Sequence, residues 1–444
     1  MATAIQGTAP SAETTPGVHP VSSHESHVSP GEIALGVVIG RASESFDFFV
    51  YGIASVLVFP ALLFPFVDQL TGTLYSFAIF GLAFISRPIG SVIFLAVDRE
   101  YGRGVKLTIA LFLLGGSTAA IAFLPSYETA GIWAVAALAL FRLGQGFALG
   151  GAWDGLASLL ALNAPEKHRG WYAMMPQLGA PIGFIVASAL FAFSVLNLSA
   201  ADFLEWGWRY PFFVAFTINV VALFARLRLI ATEEFAQAYA TRELAPVSVG
   251  QLLTVQGRAV LIGAFVPLAS FALFHLVTIF PISYIDIFSD RSTGEFLVVQ
   301  LYGAFICLVA VILSGVIADR IGRRVLLGSC AVAIALFSLV TPWLLGGSSS
   351  GQTAFILIGF ALLGLSHGQA SGAVASAFEG QNRYTGSALT SDLAWLIGAG
   401  FAPLVALGFS SRFGLGAVGV YLFSGAVCTL LALWINKRLS LRAA

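Results

Sequence analysis

Between Gly40 and Gly52 the chain reads GRASESFDFFVYG, inside an apolar run that begins at Ile33 and continues past Leu57. Arg41, Glu44, Asp47 and Tyr51 recur at helical spacing, so a helix puts them on one face as a polar stripe. A charge near the centre of a bilayer costs about 2.5–3.5 kcal/mol on insertion scales. Three charges on one face are therefore tolerable only against partners or water. Facing a cavity, the stripe suits a polar solute. Arg41 and Glu44 also have a plainer reading, as an ion pair at the mouth of the helix, whereas Asp47 lies deeper.

Other polar side chains interrupt apolar runs further on. Arg87 lies in SRPIG, where Pro88 removes an amide donor and can bend the helix. The planar fork of arginine suits bidentate carboxylate binding, which makes Arg87 the candidate for a substrate anion, against a purely structural role. Arg142 opens RLGQG, and Asp154 follows twelve residues later on a similar helical face. Asp154 reads as a second proton site or an inter-bundle lock, or as a helix-end acid pairing with the basic loop around Arg169. Arg41, Tyr51, Gln145, Gln177, Tyr284, Gln300 and Asp392 are further candidates for substrate contact, and Tyr302 is another polar residue within an apolar run. An acid such as Asp392 in SALTSDLAW would contact a cationic or hydroxylated group. His275 and His367 are isolated, and an isolated buried histidine is more often a satisfied hydrogen-bonding residue than a coupling site. No spacing suggests a metal. Cys307, Cys330 and Cys428 lie in apolar runs and read as small buried hydrophobes.

The elements that carry these residues follow from composition. Of 444 residues 58% are hydrophobic and 10% charged, too few charges to cover a soluble surface of that size. The net charge is zero, which removes the basic footprint of a nucleic-acid binder. No nucleotide-binding loop or nucleophile–base motif is present, so an enzyme is not expected. Twelve apolar stretches are long enough to span a bilayer: about 33–60, 70–97, 105–124, 131–162, 171–196, 209–230, 258–286, 295–318, 325–346, 353–378, 385–410 and 413–436. The expected organisation is a tail over 1–31, polar and without Lys or Arg, read as disordered and cytoplasmic. A six-helix bundle over 32–230, a cytoplasmic linker over 231–257, a second bundle over 258–436 and a tail over 437–444 follow. With both termini cytoplasmic, 16 of 22 Lys and Arg residues fall in inside loops and tails and 3 in outside loops, a bias that sets the orientation.

The loop after the second stretch, DREYGRG (98–104), and that after the eighth, ADRIGRR (318–324), share D-R-x-x-G-R at equivalent places in the two halves. Two related bundles suggest an alternating-access transporter with its site at their interface. With FDFFVYG (46–52), SRPIG (86–90), RLGQGFALGG (142–151), PQLGAPIG (176–183), WGWRYPFF (206–213) and RYTG (383–386), the chain resembles the major facilitator superfamily. Within it, the chain is similar to the metabolite:proton symporters of oxoglutarate, citrate, shikimate, proline and betaine, from about residue 34 to 436. The resemblance implies an all-α membrane fold of twelve transmembrane helices in two pseudo-symmetric six-helix bundles. It also implies a multi-pass location in the inner (plasma) membrane and a small-molecule substrate moved with protons by a monomer in the lipid bilayer. No cofactor beyond the proton gradient is expected.

The resemblance also implies roles. Asp47 would be the proton site and Arg142 its switchable partner, with Glu44 and Asp154 sharing the titration. The alternative is a static pair joining two helices. Asp98, Arg99 and Arg103, with Asp319, Arg320 and Arg323, would make inter-bundle gating contacts. The chain departs from the family pattern at Arg41–Ala42–Ser43, at Ala152–Trp153–Asp154, at Phe94 where a glycine is usual, and at Ser376–Glu379. Phe94 is expected to weaken the first gate, whereas Gly315 keeps the equivalent place in the second. The intramembrane arginines favour proton-coupled uptake of a small organic acid. The acids leave a zwitterion such as proline or a betaine open, and proton-driven efflux is the third reading. A transporter-like sensor that binds without transport is disfavoured by the short termini.

Overall fold

A computed structural model of the chain describes residues 30–152, 157, 160, 164–231, 244–375, 378 and 380–436. Asp154, the tail over 1–29, the linker residues 232–243 and the last residues, 437–444, lie outside that set. All regular structure among the described residues is helical. The first half holds α1 (Pro30–Leu57), α2 (Gln69–Tyr101), α3 (Arg103–Ala122), α4 (Ile132–Gly151), α5 (Arg169–Asn197) and α6 (Gly207–Arg228). The second holds α7 (Val249–Phe265), α8 (Leu268–Phe288), α9 (Thr293–Ile321), α10 (Arg323–Leu345), α11 (Ser349–Ala375), α12 (Arg383–Phe413) and α13 (Leu415–Ile435). Among the described residues, 11 helices are long and apolar enough to cross a membrane. The 28 residues of α1 make it the twelfth by length, and any 18-residue window within it carries Arg41, Glu44 and Asp47. The chain is a multi-pass membrane protein of two six-helix bundles, with α7 and α8 together forming one broken span.

That span differs from its expected limits of 258–286. Helix begins at Val249, and the break comes at Gln256, whose backbone leaves helical geometry (φ −130°, ψ 19°). Further interruptions fall at Val266–Pro267, between α7 and α8, and after Thr278. Pro281 has no amide hydrogen, so the carbonyl of Val277 lacks its helical donor. Gln300 of α9 supplies one: its amide donates to the carbonyls of Val277 (2.9 Å) and Thr278 (2.8 Å).

The glycine of each D-R-x-x-G-R loop has a structural cause. Gly102 and Gly322 end α2 and α9 at φ 83° and 85°, a left-handed turn that a side chain resists. The preceding helices are thereby turned directly into α3 and α10.

Small residues set how closely α2 and α4 cross. A Cβ at Gly146 would fall on the Ala83 carbonyl oxygen, and one at Gly150 on the backbone of Arg87 and Ser91. The Ser86 hydroxyl uses the closeness to donate to the Leu143 carbonyl (2.9 Å). By contrast, a Cβ at Gly116 of α3 meets nothing within 4 Å. Gly146→Ala is therefore expected to lower stability by about 1–3 kcal/mol, because backbone cannot yield as a side chain does. Gly116→Ala serves as the control and should leave the melting temperature in detergent unchanged. Equal melting temperatures for both variants would remove the close-crossing argument.

Candidate functional site

A cavity of about 1010 Å³ lies between the halves. It runs from an aromatic layer to Lys167, Arg169, Arg320 and Arg383, at the end carrying the two repeated loops. The layer is built from both halves. Phe48 stacks on His275 (centroids 5.1 Å), Phe49 on Phe274 (5.5 Å) and Phe84 on Trp395 (6.3 Å). Beyond it, the opposite end is tied by Gln69 of α2 donating to Asp286 of α8 (2.6 Å).

The stripe on α1 divides along its length. Glu44 lines the cavity and accepts from Arg41 (2.7 Å) and from Arg226 of α6 (2.5 Å). Arg226 is buried, donates also to the Ala152 carbonyl (3.2 Å), and fits because Gly40 has no side chain where its guanidinium lies. Asp47 is buried one turn deeper. Its Oδ2 accepts from the Asn219 amide of α6 (2.6 Å), whose own oxygen accepts from the Ser43 hydroxyl (2.8 Å). Its Oδ1 has no partner.

The expected Asp47–Arg142 pair is not formed in this state: among the described residues no ion pair or hydrogen bond joins them. Arg142 donates to the Phe80 carbonyl (3.1 Å) and to Gln145 (3.0 Å), and its guanidinium lies over the rings of Tyr51 (4.1 Å), Phe80 (4.6 Å) and Phe48 (5.3 Å). Aromatic faces thus stand in for a counter-ion.

Arg87 lines the cavity wall from α2 and meets Asp392 of α12 across the interface, Nε to Oδ1 at 2.7 Å. Ser91, one turn from Arg87, donates its hydroxyl to the other carboxylate oxygen. Gln177 lines the same cavity with Arg41. Four expected substrate contacts are placed elsewhere. Tyr51 is wholly buried beneath Arg142, and Gln145 is bonded to Arg142 and to Thr118 (2.9 Å). Gln300 serves the break in α8, and Tyr284 packs on Phe280 and Phe288 towards the opposite end. A polar side chain within an apolar run can serve a neighbouring helix as well as a solute, as Gln145 and Gln300 do here. Tyr302 is exposed on the outer surface. His367 lines the cavity, and His275 is enclosed by aromatic rings.

The two loops bridge the halves in different ways. Asp98 is fully buried and accepts from Arg103 (3.0 Å), lies 3.4 Å from Lys106, and accepts from the Tyr384 hydroxyl of α12 (3.2 Å). Arg99 donates to the Val247 carbonyl (3.3 Å). In the second loop Asp319 accepts from the backbone amides of Gly170 (2.6 Å) and Trp171 (3.1 Å) at the start of α5. Arg323 donates to the carbonyls of Gly372 (2.8 Å) and Arg169 (3.4 Å), and Arg320 faces the cavity. The expected weakening of the first gate by Phe94 takes another form. Phe94 packs inward on Gly151 and Phe147 of its own half, and long side chains make the contact that backbone approach makes at Gly315.

The sequence gives no role to Asn219 or Tyr384, and the count of inside-loop cations takes in both Lys106 and Arg226. The available signal was spacing: Arg226 and Arg228 point to opposite sides of one helix, so one of them had to face inward.

The profile of the sugar (and other) transporter family matches residues 33–259. An inner membrane metabolite transport protein of Escherichia coli K12, YhjE, is 36% identical over 93% of this chain and 96% of its own length. The shikimate transporter of the same organism is 29% identical over 91% and 94%. Among solved structures a D-xylose-proton symporter superposes with a TM-score of 0.69 at 18% identity, over 92% of this chain and 97% of that one.

Removing one partner of a buried pair costs about 3–5 kcal/mol, because the other charge is stranded. Arg226→Met should therefore lower the melting temperature markedly. Adding Glu44→Gln to it should recover part of the loss. A double variant no more stable than the single one would show that Glu44 is not the group Arg226 serves.

Proposed function

We propose a substrate and a coupling ion on one premise: the chain belongs to the sugar (and other) transporter family, within the major facilitator superfamily. It moves a small organic acid together with a proton across the inner (plasma) membrane by alternating access between its two bundles. Both termini are cytoplasmic in this reading, on the Lys and Arg bias of the loops, so the cavity faces inward.

The observation that carries the substrate class is the charge of the cavity. Among the described residues 7 cationic side chains line it against 2 carboxylates, Glu44 and Asp319. Walls of low dielectric focus such a field and raise the local concentration of anions. Arg87 is the contact for the solute carboxylate, with Gln177 and Arg41 beside it. The likeness to a shikimate transporter supports an acid with hydroxyl groups as the first compound to try.

Asp47 is the proton carrier in this proposal. It is buried, its hydrogen bond comes from a neutral amide, and one oxygen is unpartnered. Protonation there breaks no ion pair, so the proton can come and go without dismantling the bundle. Glu44, held by two arginines, is a structural member of the stripe rather than a second carrier. Proton-coupled uptake of a zwitterion is the second reading, favoured by Asp392 beside Arg87.

The test is uptake into proteoliposomes of labelled organic acids, proline and betaine, with and without an inward proton gradient. Accumulation of an acid only with the gradient is the expected result. Accumulation of proline or betaine alone moves the substrate class to zwitterions, and gradient-driven extrusion replaces uptake with efflux. Asp47→Asn should abolish accumulation while exchange of solute for solute persists; unchanged accumulation removes Asp47 from coupling. Arg87→Lys keeps the charge and loses the fork, and is expected to weaken apparent affinity about tenfold. An unaltered affinity takes Arg87 out of the solute site.

A further inference from the structure

Arg87 is already occupied by an anion of the protein's own. Asp392 reaches it from the other half, and the contact is monodentate, through Nε alone. No second side-chain or backbone partner for Arg87 is found among the described residues. The guanidinium therefore presents its two Nη groups to the cavity, with Asp392 at its shoulder and Glu44 on the same cavity wall within electrostatic reach. Asp392 is itself almost fully buried, held on its other oxygen by Ser91, while Ser387, Ser391 and Trp395 of the same helix line the cavity around it. One turn towards the sealed end, the same two helices meet again where Phe84 stacks on Trp395.

We propose that Asp392 is a built-in competitor for the solute anion at Arg87, and that a solute carboxylate displaces it and so breaks the ionic contact between α2 and α12. The inference rests on Arg87 being the anion contact of the proposed function. Two carboxylates cannot share one guanidinium in a poorly solvated cavity without repelling each other. An incoming carboxylate that takes the fork bidentately therefore weakens the Asp392 contact, which is the ionic link between these two helices. Asp392 sets the threshold of the site. A weakly held monoanion does not pay to break the pair, whereas a solute with several acceptor groups does. The competitor also tells the carrier whether it is loaded, because this one ionic contact between the halves persists only while the site is empty.

The test uses the purified full-length protein in detergent at one fixed pH. Arg87 is modified with phenylglyoxal and followed by peptide mass spectrometry, with exposed Arg412 as the internal reference. Acetate, succinate and citrate are the protecting probes. Asp392→Asn should raise the modification rate of Arg87 about tenfold, the scale of one charged hydrogen bond, and lower the protecting concentration of citrate by a similar factor. Asp392→Glu keeps the charge and should stay near the wild type, which guards against a folding defect in the first variant. An unchanged rate in Asp392→Asn overturns the proposal, since Asp392 would then not mask Arg87. A raised rate with no protection by any carboxylate overturns it as well, since Arg87 would not be an anion site. Weaker protection in Asp392→Asn would make Asp392 a ligand instead of a competitor. Failure of the transport reading is seen separately, as the absence of uptake of every compound while Arg87 remains protectable.

Discussion

Hydrocarbon solvates no ion, so each charge on a helix of this chain has to be met by another helix or by the cavity. Three buried carboxylates and one on the cavity wall, Glu44, meet that demand in different ways. Glu44 lies between two arginines, Asp98 under a cluster of Arg103, Lys106 and Tyr384, and Asp392 against Arg87. Among the described residues Asp47 alone of the four has no ionic partner and is held only by a neutral donor, Asn219. That difference is what singles out Asp47 in the proposed function. Neutralising Glu44 would strand the buried Arg226, and neutralising Asp98 would strand the buried Arg103 and Lys106. Neutralising Asp47 strands none.

The repeated loops show how one motif yields two contacts. Both contain a glycine at nearly the same positive φ, so both turn one helix into the next identically. What differs is the residue four places before the acid. Gly315 lets α9 approach the backbone of Trp171, and Asp319 then accepts directly from amides of α5. Phe94 fills that space, and the first loop reaches the second half through the longer arms of Arg103 and Lys106 stacked against Tyr384. The two halves are therefore joined by amide–carboxylate contacts on one side and by a buried ionic cluster on the other. They need not open with equal ease.

Helical period and composition made most of the fold legible. The twelve stretches, the break between halves and the stripe on α1 follow from spacing, because a helix decides which residues share a face. Spacing does not say which helix lies opposite. The partner of Asp47 is 172 residues away on α6, and no pattern within α1 distinguishes an amide there from an arginine on α4. Gln300 illustrates the same gap. It reads as a solute contact until the missing amide of Pro281 is seen to leave a carbonyl that needs it. The helix from Val249 to the break at Gln256 carries polar residues and falls in the stretch expected as linker, and the expected start of the seventh span at 258 lies just past that break.

Arg142 connects the site to the motion that alternating access requires. Its charge is sheltered by Phe48, Phe80 and Tyr51, and two of those rings also pack against His275 of the other half. Parting the halves at the aromatic layer removes His275 from Phe48 and Phe80, and the rings that shelter Arg142 lose their support. A cation uncovered in this way needs a new partner, and its Nη2 has none at present. Asp47, one turn from Tyr51 and within reach of the Arg142 field, has an oxygen to offer. The pair absent from this state is thus the one that opening the aromatic layer would favour, and if Asp47 carries the proton as proposed, its release would accompany the turn of the bundles.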